Sequence, residues 1–473
     1  MKYSYPYFSD EWVAVSFAQY SLESGKLPLV NPLWYDVDFP NFELPFHSFV
    51  SEILLLLNLS PLTHYTILAI FSGIVICLLV YFILRINHID KLISALASLS
   101  VLYIVNGANL PGMWTLIPLT LGLISILLGF FFMSANKKNM VLVLAFLTLI
   151  FYPPLFVLYT FSLICYFVFA DISRKEKVKY IISYFLISFT VLIILTFFAY
   201  FQLETFDNFV SYTLSKIFYE SFTKNSIPDF SIWKILSIPI LFLAILGLKE
   251  SKKRSWLLAP VFVGLAYWVL YSRVLWRFVI EYERVVFATS VFITLLAGFG
   301  LNYLTFYLRK IPFVRKYWIA KLFFILILAL FFVFSFSYTE RDDWAELKLH
   351  VIGGKVISPA APANIYLHED DLKLFDFKEK RFLSVPWKGL VIGVATKNYP
   401  LNSKSSTITN SIFRYYDFMS ADCRDKKKIA EDYEIDYIYS DEFECEGFEK
   451  LGKSEEELYL YKTNFLRNEQ HLF

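Results

Sequence analysis

Residues 62–84, LTHYTILAIFSGIVICLLVYFIL, run without a single Asp, Glu, Lys or Arg and end directly on Arg85. A helix needs about 20 predominantly apolar residues to cross the hydrocarbon of a bilayer, so this stretch reads as a membrane span with a basic flank. The same rule applied along the chain predicts nine more spans, at about 91–105, 112–133, 139–152, 154–170, 180–201, 235–248, 256–272, 285–306 and 321–337. The expected fold class is therefore an α-helical polytopic membrane protein with about ten spanning helices. The least certain boundary lies at Tyr152-Pro153-Pro154, where two prolines either separate two helices or kink one.

Composition agrees with this. Of 473 residues, 57% are hydrophobic and 18% charged, against about 45–50% and about 25% in soluble globular proteins. The charge is also unevenly divided. The first 337 residues hold 17 acids and 25 bases, and the last 136 hold 25 acids and 19 bases. The formal net charge of +2 thus joins an apolar basic part to a polar acidic one. Bases occur in short clusters between apolar runs, which excludes the continuous basic stripe of a nucleic-acid binder. Three regions follow: a loop over 1–61, a multispanning domain over 62–337 and a small α/β domain over 338–473.

Lys and Arg concentrate on cytoplasmic loops of membrane proteins. Alternate gaps here carry Arg85/Lys91, Lys137/Lys138, Arg174–Lys179, Lys249–Arg254 and Arg309–Lys316, and these are placed inside. Residues 1–61, 106–111, 202–234, 273–284 and everything after Ser337 then face outward, so the protein is expected as a multi-pass cell-membrane protein with an extracytoplasmic C-terminal domain. Met1 falls outside with no span ahead of it, which leads to the expectation that a first helix precedes the sequence. Cys77 and Cys165 fall in apolar spans. Cys423 and Cys445 share the outward tail, where a disulfide between them is expected.

Two outward segments carry candidate chemistry. In the first, Asp10-Glu11-Trp12 opens a segment over 10–24 with Val13, Phe17 and Tyr20 at helical spacing, predicting an interfacial helix. Two acids in a first turn serve as capping and helix-dipole partners. They also suit a general base acting on an acceptor hydroxyl, or hard oxygen ligands for a divalent metal. The loop continues through Gly25-Lys26-Leu27-Pro28, Asn31-Pro32, Asp36, Asp38 and Pro45-Phe46-His47. In the second segment, Arg273, Arg277 and Arg284 run against the local charge bias. The planar guanidinium fork is suited to holding phosphate, and Glu281 and Glu283 supply the alternative of an intraloop salt-bridge set. The long gap at 202–234 has polar residues at partly helical spacing and reads either as a solvated amphipathic helix or as a cover over a substrate cleft.

The Asp-Glu pair, the interfacial helix, the Gly-x-x-Pro…Asn-Pro turn and the Pro-Phe-His lead-in to a juxtamembrane helix resemble the first outer loop of the GT-C class of integral membrane glycosyltransferases. In that class a first helix normally precedes this loop, which matches the missing span. The resemblance implies a hexosyl or pentosyl transferase that moves a sugar from a polyprenyl-phosphate-linked donor to a lipid, glycan or protein acceptor. It implies Asp10 and Glu11 as catalytic base or metal ligands, with Mg or Mn as the only cofactor. Arg284, Arg273 and Arg277 would hold donor phosphate, and Asp36 and His47 would line the substrate site. The next outer loop, Asn106-Gly107-Ala108-Asn109, offers amides where many members carry an acid or His, and this weakens the metal assignment. A narrower resemblance is to archaeal-type multispanning proteins related to 6-pyruvoyl-tetrahydropterin synthase. The rival readings are a transporter or flippase of lipid-linked saccharides, which would place charges mid-membrane, and a catalytically inactive membrane scaffold.

In the tail, β-rich runs at 364–367, 390–394, 435–439 and 458–461 predict strands, and 420–433 a helix. Without a phosphate-cradling loop or a nucleophile elbow, this domain is expected to be accessory or acceptor-binding.

Overall fold

The computed structural model describes residues 5–6, 9–29, 32, 41, 43–102, 104, 113, 115–169, 173–202, 236, 238–251, 254–270, 282–308, 310, 351–352, 355–356, 367–385, 388–402 and 411–464. In chain order these form helices α1 (Ser9–Ser24), α2 (Leu44–Leu56), α3 (Pro61–Ile86), α4 (Lys91–Val101), α5 (Pro118–Ser134), α6 (Lys138–Phe151), α7 (Pro153–Phe169), α8 (Arg174–Gln202), α9 (Ile238–Glu250), α10 (Ser255–Val269) and α11 (Tyr282–Leu308). The hairpin β1 (Val351–Ile352) and β2 (Lys355–Val356) follows. The tail then forms α12 (Glu369–Leu374), β3 (Arg381–Ser384), α13 (Lys388–Thr396), β4 (Tyr399–Pro400), α14 (Ser411–Ser420), α15 (Cys423–Asp432), β5 (Tyr437–Ser440), β6 (Phe448–Lys453) and β7 (Tyr459–Thr463). The chain divides into two compact units, residues 67–360 and residues 1–66 with 361–473.

In the helical unit, helices occur at nine of the ten expected spans, and 321–337 lies outside the described residues. Among the described residues three helices are long and apolar enough to cross a membrane: Pro61–Ile86, Arg174–Ile194 and Arg284–Leu308. Helix α11 is the centre of this unit, with 94% of its apolar window buried, and α4, α9 and α10 pack on it. Helix α8 buries only 17% and turns its apolar face outward, as a helix in hydrocarbon does. The contact between α9 and α11 is made by backbone. A Cβ at Gly300 would collide with the carbonyl oxygen of Leu243, and one at Gly247 with that of Leu296. Glycine is what lets membrane helices approach so closely. The prolines after Tyr152 separate two helices. Residue 152 is extended at φ −152° and ψ 86°, ending α6 before Pro153 opens α7.

In the other unit, a five-stranded sheet has the order β4-β3-β5-β7-β6, parallel from β4 through β3 to β5 and antiparallel beyond. Phe375, Phe382, Phe418, Ile438, Tyr439 and Leu460 fill its core, and Cys423 and Cys445 are disulfide-bonded with Cα atoms 5.4 Å apart. The sheet makes this an α/β unit. The strand expected at 390–394 is instead the middle of α13, whose Leu390–Val394 are all buried. A short apolar run enclosed on every side shows neither a two-residue nor a 3.6-residue period, so the sequence does not separate strand from helix there. The helix expected over 420–433 is α15, whose N-cap Asp422 accepts from the Asp425 amide at 2.8 Å, and α14, over Ser411–Ser420, is a further helix that the sequence reading did not include. Residues 364–366, Trp387 and 403–410 lie outside the described residues.

Candidate functional site

Helix α1 carries Asp10 and Glu11 in its first turn, where carboxylates are stabilised by the unpaired amides and the dipole. It is not a helix lying free on a surface. Trp12, Ala14, Val15, Phe17 and Ala18 are all buried by protein, because α1 packs on α2 and on α13 of the tail. The α13 contact is tied at its end by Lys397 and Glu23, 2.8 Å apart. Glu11 is itself buried, at 2% exposure, and Asp10 is half-buried.

The region around the acid pair is built by α2 and the start of α3. His47 of α2 stacks on Phe17 of α1, with ring centroids 4.1 Å apart. Its Nδ1 lies 2.7 Å from Asn41 Oδ1, while Asn41 Nδ2 donates to the Pro28 carbonyl at 3.2 Å and the Asn41 amide donates to Leu29 O at 2.7 Å. Because the amide nitrogen of Asn41 is already committed as a donor, its oxygen accepts, and the His47 proton sits on Nδ1. Asn41 thereby clips together the two ends of the 30–40 segment and fixes the imidazole. Burial lowers the His47 pKa from 6.5 to about 3, with the negative charge of Asp10 opposing the shift. The ring is therefore neutral at ordinary pH, packed on Phe17 and positioned by Asn41. Glu43 lies 3.9 Å from His47 Nε2. The charges of Asp10, Glu11 and Glu43 all act on the buried phenol of Tyr65, so the site holds three carboxylates. Sequence reading missed Glu43 and Tyr65. Glu43 stands two residues before Pro45-Phe46-His47, but Tyr65 is 18 residues beyond it in α3, and no local pattern pairs either with Asp10 and Glu11.

Asp10 and Glu11 were also expected as metal ligands. Among the described residues no group of three or more His, Cys, Asp or Glu side chains is arranged to hold an ion, and His47 engages Asn41 through Nδ1. Asp36 and Asp38 lie outside the described residues, as do Asn106–Asn109.

In the helical unit, Arg284 stands in the first turn of α11, half-buried. Its Nη1 donates to Tyr152 Oη at 2.9 Å, and the guanidinium lies 5.4 Å from the centroid of the same ring. Tyr152 is the residue at the α6–α7 break, and Gly122 of α5 makes room for it: a Cβ at Gly122 would stand 2.9 Å from the Tyr152 Cβ. The proline pair thus presents the phenol that orients the arginine. Arg273, Arg277 and Glu281 lie outside the described residues.

No protein-family model and no curated protein matches the sequence. Solved structures do match. The Archaeoglobus fulgidus oligosaccharyltransferase tethered to an acceptor peptide with an NVT sequon aligns with a TM-score of 0.54 at 12% identity, over 92% of this chain and 65% of that one. The chain shares the fold of this oligosaccharyltransferase. The archaeal oligosaccharyltransferase AglB from the same organism, in complex with an inhibitory peptide and a dolichol-phosphate, aligns with the same score at 13% identity over 93% and 66%. A form of the enzyme with Zn and sulfate aligns at 0.52 and 12% identity over 98% and 70%. The chain spans about two thirds of the length of these proteins. The likeness of fold to these oligosaccharyltransferases thus extends over nearly the whole chain.

Proposed function

We propose that this protein is a membrane glycosyltransferase that moves a sugar from a polyprenyl-phosphate-linked donor to an acceptor at the outer membrane face. The observation that carries the reading is the acid pair of α1, with Glu11 buried, in a chain whose fold is that of oligosaccharyltransferases. Asp10, the more exposed of the two, takes the proton from the acceptor nucleophile as it attacks the anomeric carbon of the donor. Glu11 and Glu43 stand in the same site, where both act on the Tyr65 phenol. The bond from the anomeric carbon to phosphate oxygen breaks, and the charge left on the phosphate is met by Arg284. Its guanidinium, braced by Tyr152, offers further N–H donors in a fixed plane. Neighbouring structures contain an acceptor peptide and a dolichol-phosphate, which favours a protein acceptor and an isoprenoid-linked donor. The full set of ten spans and the outward-facing tail belong to the same proposal, and three spans long enough to cross support it.

Native mass spectrometry of the detergent-purified protein tests this reading. A polyprenyl phosphate or its glycosylated form is expected with the wild type and with Asp10→Asn, and is expected to be lost in Arg284→Ala. Bulk phospholipid alone, unchanged by either substitution, would overturn the donor assignment in favour of a transporter or scaffold. In a transfer assay with the co-purified donor, Asp10→Asn is expected to lower turnover by about 10²-fold or more, with the donor still bound.

A further inference from the structure

Two basic clusters far apart in sequence, Lys249–Arg254 and Arg309–Lys316, were read only as markers of sidedness. The close glycine-mediated pairing of α9 and α11 brings their described members to one place. Lys249, at the end of α9, sets its Nζ 5.4 Å from the centroid of Tyr303. Lys310, just beyond α11, sets its Nζ 4.7 Å from Tyr307 and 4.6 Å from Phe306. The two tyrosine rings lie 4.5 Å apart. A lysine therefore stands on each side of one tyrosine pair. Lys249 and Lys310 are exposed, and so are Phe306 and Tyr307, at 57% and 44%.

Beneath this patch the polar groups are drawn into the helix junction. Asn302 donates to Glu250 Oε1 at 2.9 Å, and Arg254 donates through Nε to Asn87 Oδ1 at 2.5 Å while lying 5.0 Å from the Phe299 ring. Asn87 in turn donates to Ser134 Oγ at 2.9 Å. Glu250 is thus the one described carboxylate of the patch, set against Lys249, Arg254 and Lys310, and it is turned inward to Asn302. The outward part of the patch is left cationic and aromatic.

We propose that Lys249, Lys310 and the Tyr303–Tyr307 pair form a binding site for the headgroup phosphate of an anionic phospholipid. The patch lies at the end of α11, which is long and apolar enough to cross a membrane, and so falls at headgroup level by helix length alone. Tyrosine is favoured at that level because its ring tolerates acyl chain while its hydroxyl donates to headgroup oxygens, and lysines there attract anionic lipid. The exposed Phe306 ring gives the glycerol and first methylenes an apolar wall. This site is at the basic end of α11, whereas Arg284 is at the other end of the same helix, so it is separate from the proposed donor-phosphate site and does not depend on it.

The test is native mass spectrometry of the full chain released from nanodiscs containing equal phosphatidylglycerol and phosphatidylcholine. The wild type is expected to retain phosphatidylglycerol in preference. Lys249→Gln with Lys310→Gln is expected to lower that preference roughly tenfold or more, and the charge-preserving Lys249→Arg with Lys310→Arg to keep it. Both lysines are exposed, so an unchanged elution profile and melting temperature serve as the folding control. Equal retention of the two lipids by the wild type, or an undiminished preference in the Gln pair, would overturn the proposal. So would full displacement of the lipid by inorganic phosphate, which would make this a free-phosphate site. A polyprenyl phosphate lost with Arg284→Ala but kept in the Gln pair would show the two sites to be independent.

Discussion

In the unit of residues 1–66 and 361–473, the ammonium of Lys388 is fully buried, 2.8 Å from Asp371 and 2.7 Å from Glu456. In the helical unit, the tightest junction is Gly300 against the Leu243 carbonyl, with no charge on either side. The difference follows from what surrounds each. The tail has a small core, and Lys388 opens α13 where a cation is disfavoured by the helix dipole. Two carboxylates offset that, and they are held in turn: Asp371 accepts from Tyr439 Oη at 2.7 Å and from the His368 amide at 2.9 Å, and Glu456 lies 2.8 Å from His368 Nε2. Four elements are thereby locked by one cation. The helical unit has no hydrophobic drive between helices if lipid surrounds it, and gains instead from close backbone contact. The first unit should therefore be broken by removing charge, and the second by adding volume.

Lys388→Met should be the most damaging change, since it leaves Asp371 and Glu456 buried without their cation, at a cost of about 3–5 kcal/mol. Hydrogen exchange of the 381–463 amides would report it, and unchanged protection would show the buried pair to be dispensable. Combining Lys388→Met with Asp371→Leu and Glu456→Met should recover most of the loss, which would sharpen the case that the charge and not the shape is at fault.

Removing the Cys423–Cys445 bond, which closes a loop with a sequence separation of 22, should destabilise the tail by about 3 kcal/mol. Denaturant midpoints with and without reductant would measure it. Gly300→Ala should lower the stability of the helical unit by about 1–3 kcal/mol, because the new methyl meets backbone that has no rotamer to escape into. A melting temperature equal to that of the wild type in detergent would remove the close-contact argument.

The smallest expected effect is a pH dependence carried by His47. Its folded pKa is about 3, against 6.5 for the free side chain. Below 6.5 the unfolded chain takes up a proton that the folded chain refuses. Stability is full above that value and falls as the pH drops through the window toward 3. Between about pH 7.5 and 5.5 the loss should be about 1 kcal/mol, and His47→Gln should abolish it. An identical pH slope in that variant would place the titration elsewhere.

The boundaries that sequence located well are those with a cause inside a few residues. At Tyr152-Pro153-Pro154 the sequence allowed a break or a kink, and the break is found because Pro153 removes an amide and disfavours helix in the residue before it. Strands β5 and β7 were legible because Ile435–Tyr439 and Leu458–Tyr461 combine β-branched and aromatic residues between turn signals. Asp10 and Glu11 were legible as a pair for the same reason. Residues 390–394 were misread because their apolar run lacks a period, and α13 is helical by virtue of what it packs against. The surroundings of His47 were not legible, because nothing in Pro-Phe-His says that the ring will be buried on Phe17 and held by Asn41.

The sequence by itself determined where the chain is apolar and where it is polar, since hydropathy and charge act residue by residue and need no partner to be read. It set the apolar helices of the first two thirds, the α/β tail and the pair of acids in the first turn of α1. Only the tertiary structure decided which groups share a site. Glu43 and Tyr65 join the acid pair, Tyr152 orients Arg284, Lys388 sits between two carboxylates, and Lys249 and Lys310 flank one tyrosine pair. Each of these depends on electrostatic and hydrogen-bonding forces that act over a few ångströms. Such distances are fixed by how helices and strands pack, not by separation along the chain.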